Sequence, residues 1–451
     1  MVKDIWNRTS GRRRLLGAMV VLALLSAPII LKDRAHVDFD KVVGLKPLLT
    51  EPPHVWWPVF NPGHFVGWPD SQKPKGAVGL KVTVFAENLN HPHWLYTLPN
   101  GDVLVAETEK PISALHKPGF FKRLFWYLTQ RQHTASADRI ILLRDSNHDG
   151  LADQKKVFLD NLHSPFGMVL KEGRFYVANS DAIFSYSYKT GEDHLSGVGQ
   201  KIIDLPAGDV NQHWTRNIIL SPDGHYLYVA IGSASNIGEK GMALEQARAA
   251  IWEVDLKNNS HRIYAGGMRN PIGMAYEPSS KALWAVVDER NGMGSDMVPD
   301  YLTRVDFGDF YGWPQFYWGG YPDRRIKKIY KPAQSTVAWP DYSLGPHVSP
   351  LGLVFADTPE SGSVRLGTPF TKGAFISEHG SLYRNPWSGY QVVFVPFNNK
   401  GEPQDKAVTV LSGFRQGNDV YGTPAGMTGD GRGALLVADD AANRIWRVSK
   451  G

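Results

Sequence analysis

The sequence predicts an all-β fold, a six-bladed β-propeller preceded by an N-terminal membrane-anchor helix, and three observations lead there. The 451 residues include 45 Gly, 30 Pro, 14 Trp, 18 Tyr and 20 Phe, a turn-rich and aromatic-rich composition that suits pleated faces more than helix bundles. One turn-and-strand theme recurs six times along the chain. A single charge-free segment, Leu15 to Leu31, stands directly behind Arg12, Arg13 and Arg14.

That first segment is long for a signal-peptide core and short for a membrane span, and it lacks a good small-residue cleavage site, with Leu25 two before Ala27 and Pro28 after it. An uncleaved anchor is therefore expected over residues 1–34, with the basic end cytoplasmic and the rest of the chain periplasmic, on a single-pass inner-membrane protein. Residues 35–80 follow as a Pro- and Trp-rich linker (EPPHVWWPVF from Glu51 to Phe60), too rich in proline for regular structure and aromatic enough to lie against the body or the lipid headgroups.

Residues 81–451 carry the repeats. A turn precedes a short apolar strand that ends on polar residues in LPNGDVLVAET (Leu98 to Thr108), LKEGRFYVANS (Leu170 to Ser180) and LSPDGHYLYVAIGS (Leu220 to Ser233). The theme returns in YEPSSKALWAVVDE (Tyr276 to Glu289), FTKGAFISEHGS (Phe370 to Ser381) and TGDGRGALLVADD (Thr428 to Asp440). Each unit is too short to bury its own face, so the units must stack radially, and the polar strand ends converge on one channel. KVTVFAE (Lys81 to Glu87) is expected to close the ring beside RIWRV (Arg444 to Val448). Two stretches interrupt the spacing: a basic amphipathic one, Lys117 to Gln132, read as a lid, a packed loop or a membrane contact, and an aromatic one, Phe310 to Arg325, read as a pocket wall.

Charge and cysteine usage remove several functions. Residues 1–34 hold seven basic and two acidic residues, which accounts for the whole formal net charge of +5, so the body balances and has no cationic field for nucleic acid. The absence of Cys eliminates thiolate metal sites, iron–sulfur clusters, covalent haem and cysteine nucleophiles. Any cofactor is held by oxygen and nitrogen.

Chemistry-bearing residues gather at the strand ends. His213 and Arg216 precede a strand, where a neutral imidazole can take a proton from a substrate hydroxyl; the same residues also suit a loop histidine bonded within its own turn. Arg269 and Asn270 sit on a Gly-rich turn, offering a forked donor and an amide, or simply a tie between units. The loop from Val286 to Tyr301, with Asn291 and Gly292, offers carbonyls and carboxylates to a hard cation such as Ca²⁺, and resembles an ordinary surface loop equally well. Asp145, Asn147, Asp149, Gly150 and Asp153 begin a calcium-loop pattern whose twelfth position is Lys156, so a turn between strands is the first reading there. Glu378, His379 and Arg384 follow the fifth strand unit; Ser381 near His379 lacks the strained elbow and third partner of a hydrolytic triad.

Taken in order, HWTRN, SPDG, YVAIGS, GGMRNPIGMAY, DERNG, FYGWP and EHGS resemble the glucose/sorbosone dehydrogenase family, nearer its sorbosone dehydrogenase-like branch, from about Lys81 to the C-terminus. The resemblance implies a six-bladed propeller that binds pyrroloquinoline quinone (PQQ) with Ca²⁺. It implies His213 as catalytic base, Arg269 and Asn270 at the reactive carbonyl of the cofactor, Arg216 and Arg384 as further cofactor contacts, and backbone carbonyls at Asn291 and Gly292 on the metal. Where the soluble glucose dehydrogenases carry cofactor-gripping arginines, this chain reads GNDVYGTPAGM (Gly417 to Met427). The implied substrate is an aldose, a sorbosone-like aldosulose or a related sugar aldehyde, and the implied electron acceptor is a respiratory quinone or cytochrome. A calcium-dependent propeller lactonase or esterase and a non-catalytic binding module are the alternatives.

Overall fold

The computed structural model describes residues 33–52, 59–111, 135–327, 331–358, 362–404 and 406–451. The protein is all-β among these residues, broken only by three short 3₁₀ turns. Strands fall into antiparallel sheets of four, in chain order. The first sheet is Pro92–Thr97, Val103–Glu107, Arg139–Arg144 and Gln154–Leu159; the second is Met168–Lys171, Arg174–Ala178, Ala182–Ser187 and Gln200–Asp204. Arg216–Leu220, Tyr226–Ile231, Ala250–Asp255 and His261–Gly266 form the third, and Pro271–Tyr276, Leu283–Val287, Pro299–Arg304 and Tyr342–Pro346 the fourth. The fifth, Pro350–Phe355, Gly373–Glu378, Gln391–Pro396 and Val408–Ser412, gains Lys75–Gly76 at its outer edge. The last joins Pro424–Gly429, Leu435–Asp439 and Arg444–Lys450 to Leu80–Ala86 from the other end of the chain.

Each of the six turn units in the sequence lies where expected, joining the first and second strands of one sheet or running along the second. Second strands are buried throughout, as Val103–Glu107 and Leu283–Val287 are, because both faces pack on a neighbouring sheet. Several outer strands are half exposed, and His261–Gly266 buries little beyond Ala265, whereas Tyr342–Pro346 at the edge of the fourth sheet is buried throughout.

The first strands touch in a closed cycle. Tyr96 Oη accepts from the Leu170 N–H at 3.1 Å, linking the first sheet to the second, and the Gly167 N–H reaches the Arg216 carbonyl at 3.0 Å. Asn217 Nδ2 donates to the Ile272 carbonyl at 2.9 Å, and Ser377 Oγ to the Ala425 carbonyl at 2.5 Å. Two glycines close the remaining steps by having no side chain. A Cβ on Gly273 would lie 2.5 Å from the Leu351 carbonyl oxygen, and one on Gly426 would lie 2.7 Å from that of His93. Backbones meet there at a distance no other residue permits.

The predicted ring closure is present: Leu80–Ala86 pairs antiparallel with Arg444–Lys450, Val82 opposite Val448 and Val84 opposite Trp446. The described parts of residues 35–80 lie on the body, while 53–58, the centre of the Pro- and Trp-rich stretch, lie outside the described residues. His64–Phe65 pairs with Asp419–Val420, the Gly44 and Ser343 backbones bridge, and Trp68 donates its indole N–H to Asp439 at 2.7 Å while packing on Trp446. Asp145 to Asp153 form a turn between two paired strands, its carboxylates bonded to the turn's own N–H groups and to Arg432.

The expectation of a single-pass inner-membrane anchor is corrected. No helix among the described residues is long and apolar enough to cross a membrane, and Leu15 to Leu31 lie outside those residues. The insertion from Lys117 to Gln132 also lies outside them.

Candidate active site

His213 sits in the loop entering the third sheet, 8 % exposed. Its Nδ1 is 2.8 Å from the Ser233 carbonyl oxygen and 3.0 Å from Ser233 Oγ. A carbonyl only accepts, and the Ser233 hydroxyl donates its own proton to the Ser235 carbonyl at 2.6 Å, so both contacts require the proton on Nδ1. Nε2 is thereby left with a lone pair. Burial, and then the Arg269 charge, hold the imidazole well below its ordinary value, so the ring is neutral.

The loop behind Ser233 is buttressed. Buried Glu245 accepts from the N–H groups of Ala234 and Ser235, at 2.7 and 3.0 Å, and from Ser235 Oγ at 2.5 Å. Arg248 holds Asn211 Oδ1 at 2.9 Å. The carbonyl that fixes the His213 tautomer is itself held in place.

Arg269 and Asn270 come from the turn into the fourth sheet and meet His213 around Gly232. A Cβ on Gly232 would lie 2.5 Å from His213 Cβ and closer still to Asn270 Oδ1. That Oδ1 is buried and has no hydrogen-bond partner among the described residues. Arg269 Nη1 pairs with Asp288 Oδ2 at 2.9 Å and Nε reaches the Asn236 carbonyl at 3.3 Å, while Nη2 makes no bond among the described residues. Lys110 is near enough for its charge to act on the same imidazole. Around Gly232 there thus gather an amide oxygen, an imidazole lone pair and a guanidinium whose Nη2 can still donate; of these the Nη2 is the group that suits a quinone carbonyl, and the two acceptors suit a hydroxyl.

The other expected contacts lie elsewhere. Arg216 is fully buried, its Nη groups donating to the carbonyls of His213, Thr215 and Pro206 at 2.8, 2.8 and 2.6 Å, and burial lowers it to about 9. It props the His213 loop from behind. Arg384 donates to the Ser295 and Pro386 carbonyls and lies 3.5 Å from Asp296, below the ring of Phe39 at 5.1 Å. Both guanidiniums are committed to protein carbonyls.

Asn291 and Gly292 line a cleft of about 230 Å³ with Gln212, Asn236, Arg325 and Tyr383. The Asn291 carbonyl accepts from Arg325 Nη1 at 2.7 Å and Asn236 Nδ2 at 3.0 Å, and a Cβ on Gly292 would sit 2.8 Å from the same guanidinium nitrogen. A hard dication has no place beside that cation, so these two positions as they stand do not fit Ca²⁺. Arg290 explains why the loop is rigid: fully buried, it pairs with Glu289 at 2.9 Å and donates to the Phe316 and Pro314 carbonyls, both at 2.6 Å. Of the aromatic insertion, Arg325 at its end reaches into the cleft, while Tyr311, Trp313, Phe316, Tyr317 and Trp318 are buried in the body.

Sequence reasoning passed over a group beside this site. His91, His93 and Asp440 place ligand atoms within 4.8 Å of one another, and His379 joins the same carboxylate. The signal was present as HPH before the first strand and DD after the last unit, but three different sheets supply the residues. No carboxylate cage of the kind a calcium-dependent hydrolase needs occurs among the described residues, where this imidazole-rich group is the one cluster of three or more such ligands.

Comparisons with known proteins agree on the architecture. Residues 125–306 match a domain of unknown function, DUF7133, and residues 331–451 match the TrAA12-like family. An uncharacterized protein of Borreliella burgdorferi is 26 % identical over 303 residues, covering 64 % of this chain and 76 % of that protein. Among solved structures, the calcium structure of Trichoderma reesei Carbohydrate-Active Enzymes Family AA12 superposes with a TM-score of 0.67 at 18 % identity, over 84 % of this chain and 97 % of that one. The holo form of the pyranose dehydrogenase PQQ domain from Coprinopsis cinerea gives 0.65 at 17 %, over 85 % and 100 %. The PQQ-bound aldose sugar dehydrogenase of Streptomyces coelicolor gives 0.52 at 15 %, over 83 % and 99 %. At these identities the likeness is one of fold. The chain shares its fold with these structures.

Proposed function

We propose that the six sheets are the blades of a six-bladed propeller and that this chain is a PQQ-dependent oxidoreductase acting on an aldose, an aldosulose or a related sugar aldehyde. The observation that carries the reading is the His213 tautomer: a buried, neutral imidazole with Nδ1–H tied to Ser233 and the Nε2 lone pair unoccupied. Similarity in fold to a pyranose dehydrogenase PQQ domain and an aldose sugar dehydrogenase supports the substrate class.

In this reading His213 Nε2 takes the hydroxyl proton of the substrate, and the Ser233 carbonyl stabilises the imidazolium that results. The Nη2 of Arg269 and the side-chain amide of Asn270 hold the carbonyl end of the cofactor, and Arg216 keeps the base in position through the His213 carbonyl. Bound there, PQQ supplies the two-electron acceptor that cleavage of the substrate C–H bond requires. Electrons leave for a respiratory quinone or cytochrome.

The test adds PQQ to the full chain and follows cofactor binding and dye reduction against a panel of aldoses and aldosuloses. Binding with sugar-dependent dye reduction, lost in His213→Ala while binding persists, is the expected result. Folded protein that neither binds PQQ nor reduces dye overturns the proposal.

A further inference from the structure

We propose that His91, His93 and Asp440, with His379 on the same carboxylate, form a binding site for a borderline divalent cation of the Zn²⁺ kind, separate from any calcium. The residues come from the start of the first sheet and from the ends of the second strands of the fifth and sixth sheets, so the ring itself assembles them. His93 Nδ1 is 2.8 Å from Asp440 Oδ2, and His379 Nε2 is 3.0 Å from the same oxygen. His91 Nδ1 lies 3.0 Å from the Asp440 backbone carbonyl, which places its proton there and turns the Nε2 lone pair toward Asp440 Oδ2, 4.0 Å away. The His91 Nε2 lone pair, the carboxylate oxygen and the two imidazole nitrogens bonded to that oxygen are thus drawn together at one point, where a cation can take them as ligands.

The donor chemistry selects the ion. Three imidazoles and one carboxylate suit Zn²⁺, Cu²⁺ or Ni²⁺ and not Ca²⁺, which takes oxygen ligands. The supporting contacts are those of a metal site. The His91 Nδ1–H bond to a carbonyl orients its ligand nitrogen, Thr423 Oγ1 holds the other oxygen of Asp440, and the His93 ring is wedged against Trp214 at 5.7 Å and Phe166 at 5.6 Å. Asp440 is 2 % exposed and His379 19 %, so the site is walled by protein and open on one side. Without a cation, His93 Nδ1 and His379 Nε2 hydrogen-bond to the carboxylate; a bound cation takes the place of those hydrogens and the same nitrogens turn lone pairs to it.

The site is tested on the full chain in the absence of PQQ, which separates it from the catalytic reading. After chelation and desalting, Zn²⁺ uptake is measured by calorimetry and by metal analysis, with Co²⁺ as a visible-absorption probe and Ca²⁺ as competitor. About one Zn²⁺ per chain is expected, undisturbed by Ca²⁺, with Co²⁺ bands of four-coordinate intensity. His379→Ala and His91→Ala, both at partly exposed positions, are expected to weaken binding about 10–100-fold without unfolding the protein. His93→Ala and Asp440→Asn should abolish it. Failure of the folded wild-type chain to take up Zn²⁺, or uptake unchanged in His379→Ala and His91→Ala, overturns the proposal and leaves a hydrogen-bonded network. Loss of PQQ activity with Zn²⁺ binding intact leaves this site standing.

Discussion

The Nδ1 atom of His213 and the carbonyl oxygen of Ser233 are 2.8 Å apart, and that contact decides which nitrogen of the ring can act as a base. Burial keeps the ring neutral well below its ordinary 6.5. A base acts in its deprotonated form, so kcat/KM should stay level as pH falls from about 8 to about 6 and decline only below that. A pH–rate profile whose acid limb centres at 6.5 or above would remove His213 from the role. Ser233→Ala keeps the carbonyl and should cost less than about tenfold in kcat, whereas His213→Ala should cost about 10²–10⁴.

Gly232 is the spacer between base and amide. In Gly232→Ala the new methyl must displace His213 Cβ or Asn270 Oδ1. Overpacking of this kind costs about 1–3 kcal/mol of stability. The protein should therefore remain folded by circular dichroism at 25 °C while sugar-dependent dye reduction falls sharply. A variant with native turnover would show that Asn270 and His213 need not be in register.

Glu378 ends the second strand of the fifth sheet, fully buried with Gln391 Nε2 at 2.9 Å as its hydrogen-bond partner, and burial raises it to about 8. The native state therefore holds a proton that the unfolded chain releases near 4.5. Stability is fully present below that lower value, declines as pH rises through the window up to about 8, and levels off above it. Glu378→Gln keeps the shape and the acceptor but cannot ionise. Its thermal midpoint should exceed that of the wild type at pH 9 and match it at pH 4, read by differential scanning calorimetry.

Trp446 is the keystone of ring closure. It is 1 % exposed, donates to Asp439 Oδ2 at 3.0 Å and packs on Trp68 at 5.4 Å. Trp446→Ala should lower unfolding stability by about 3–5 kcal/mol in urea titration. Trp446→Phe, which keeps the ring contact while Trp68 still serves Asp439, should lose substantially less.

Local pattern and turn chemistry made the strands and their grouping legible. LPNGDVLVAET and TGDGRGALLVADD announce their hairpins because Gly and Asn or Asp supply the turn and the following apolar run has strand length. Closure was legible too, since Lys81 to Glu87 opens and Arg444 to Val448 ends the stretch that carries the repeats. The site was legible where one loop carries it, as with His213, and where the next turn adds Arg269 and Asn270. It was opaque where direction or distance decides. Nothing in HWTRN says that Arg216 turns back onto the His213 carbonyl, or that Arg325 travels from the aromatic insertion to occupy the Asn291 carbonyl. His91 and Asp440 stand 349 residues apart in sequence, and only the closed ring makes them neighbours.

That closure has a consequence for how the molecule comes into being. Leu80–Ala86 is made early and finds its partner, Arg444–Lys450, in the last strand of the chain. While the protein is being synthesised, the early strand must wait with an unpaired apolar edge until the rest of the body has been translated. His93 and Asp440 come together at the same late moment. The final few residues thus decide whether a nascent chain becomes a closed ring or an open row of sticky sheets, and a ribosome that stops short of Arg444 releases a product fit for a chaperone or a protease.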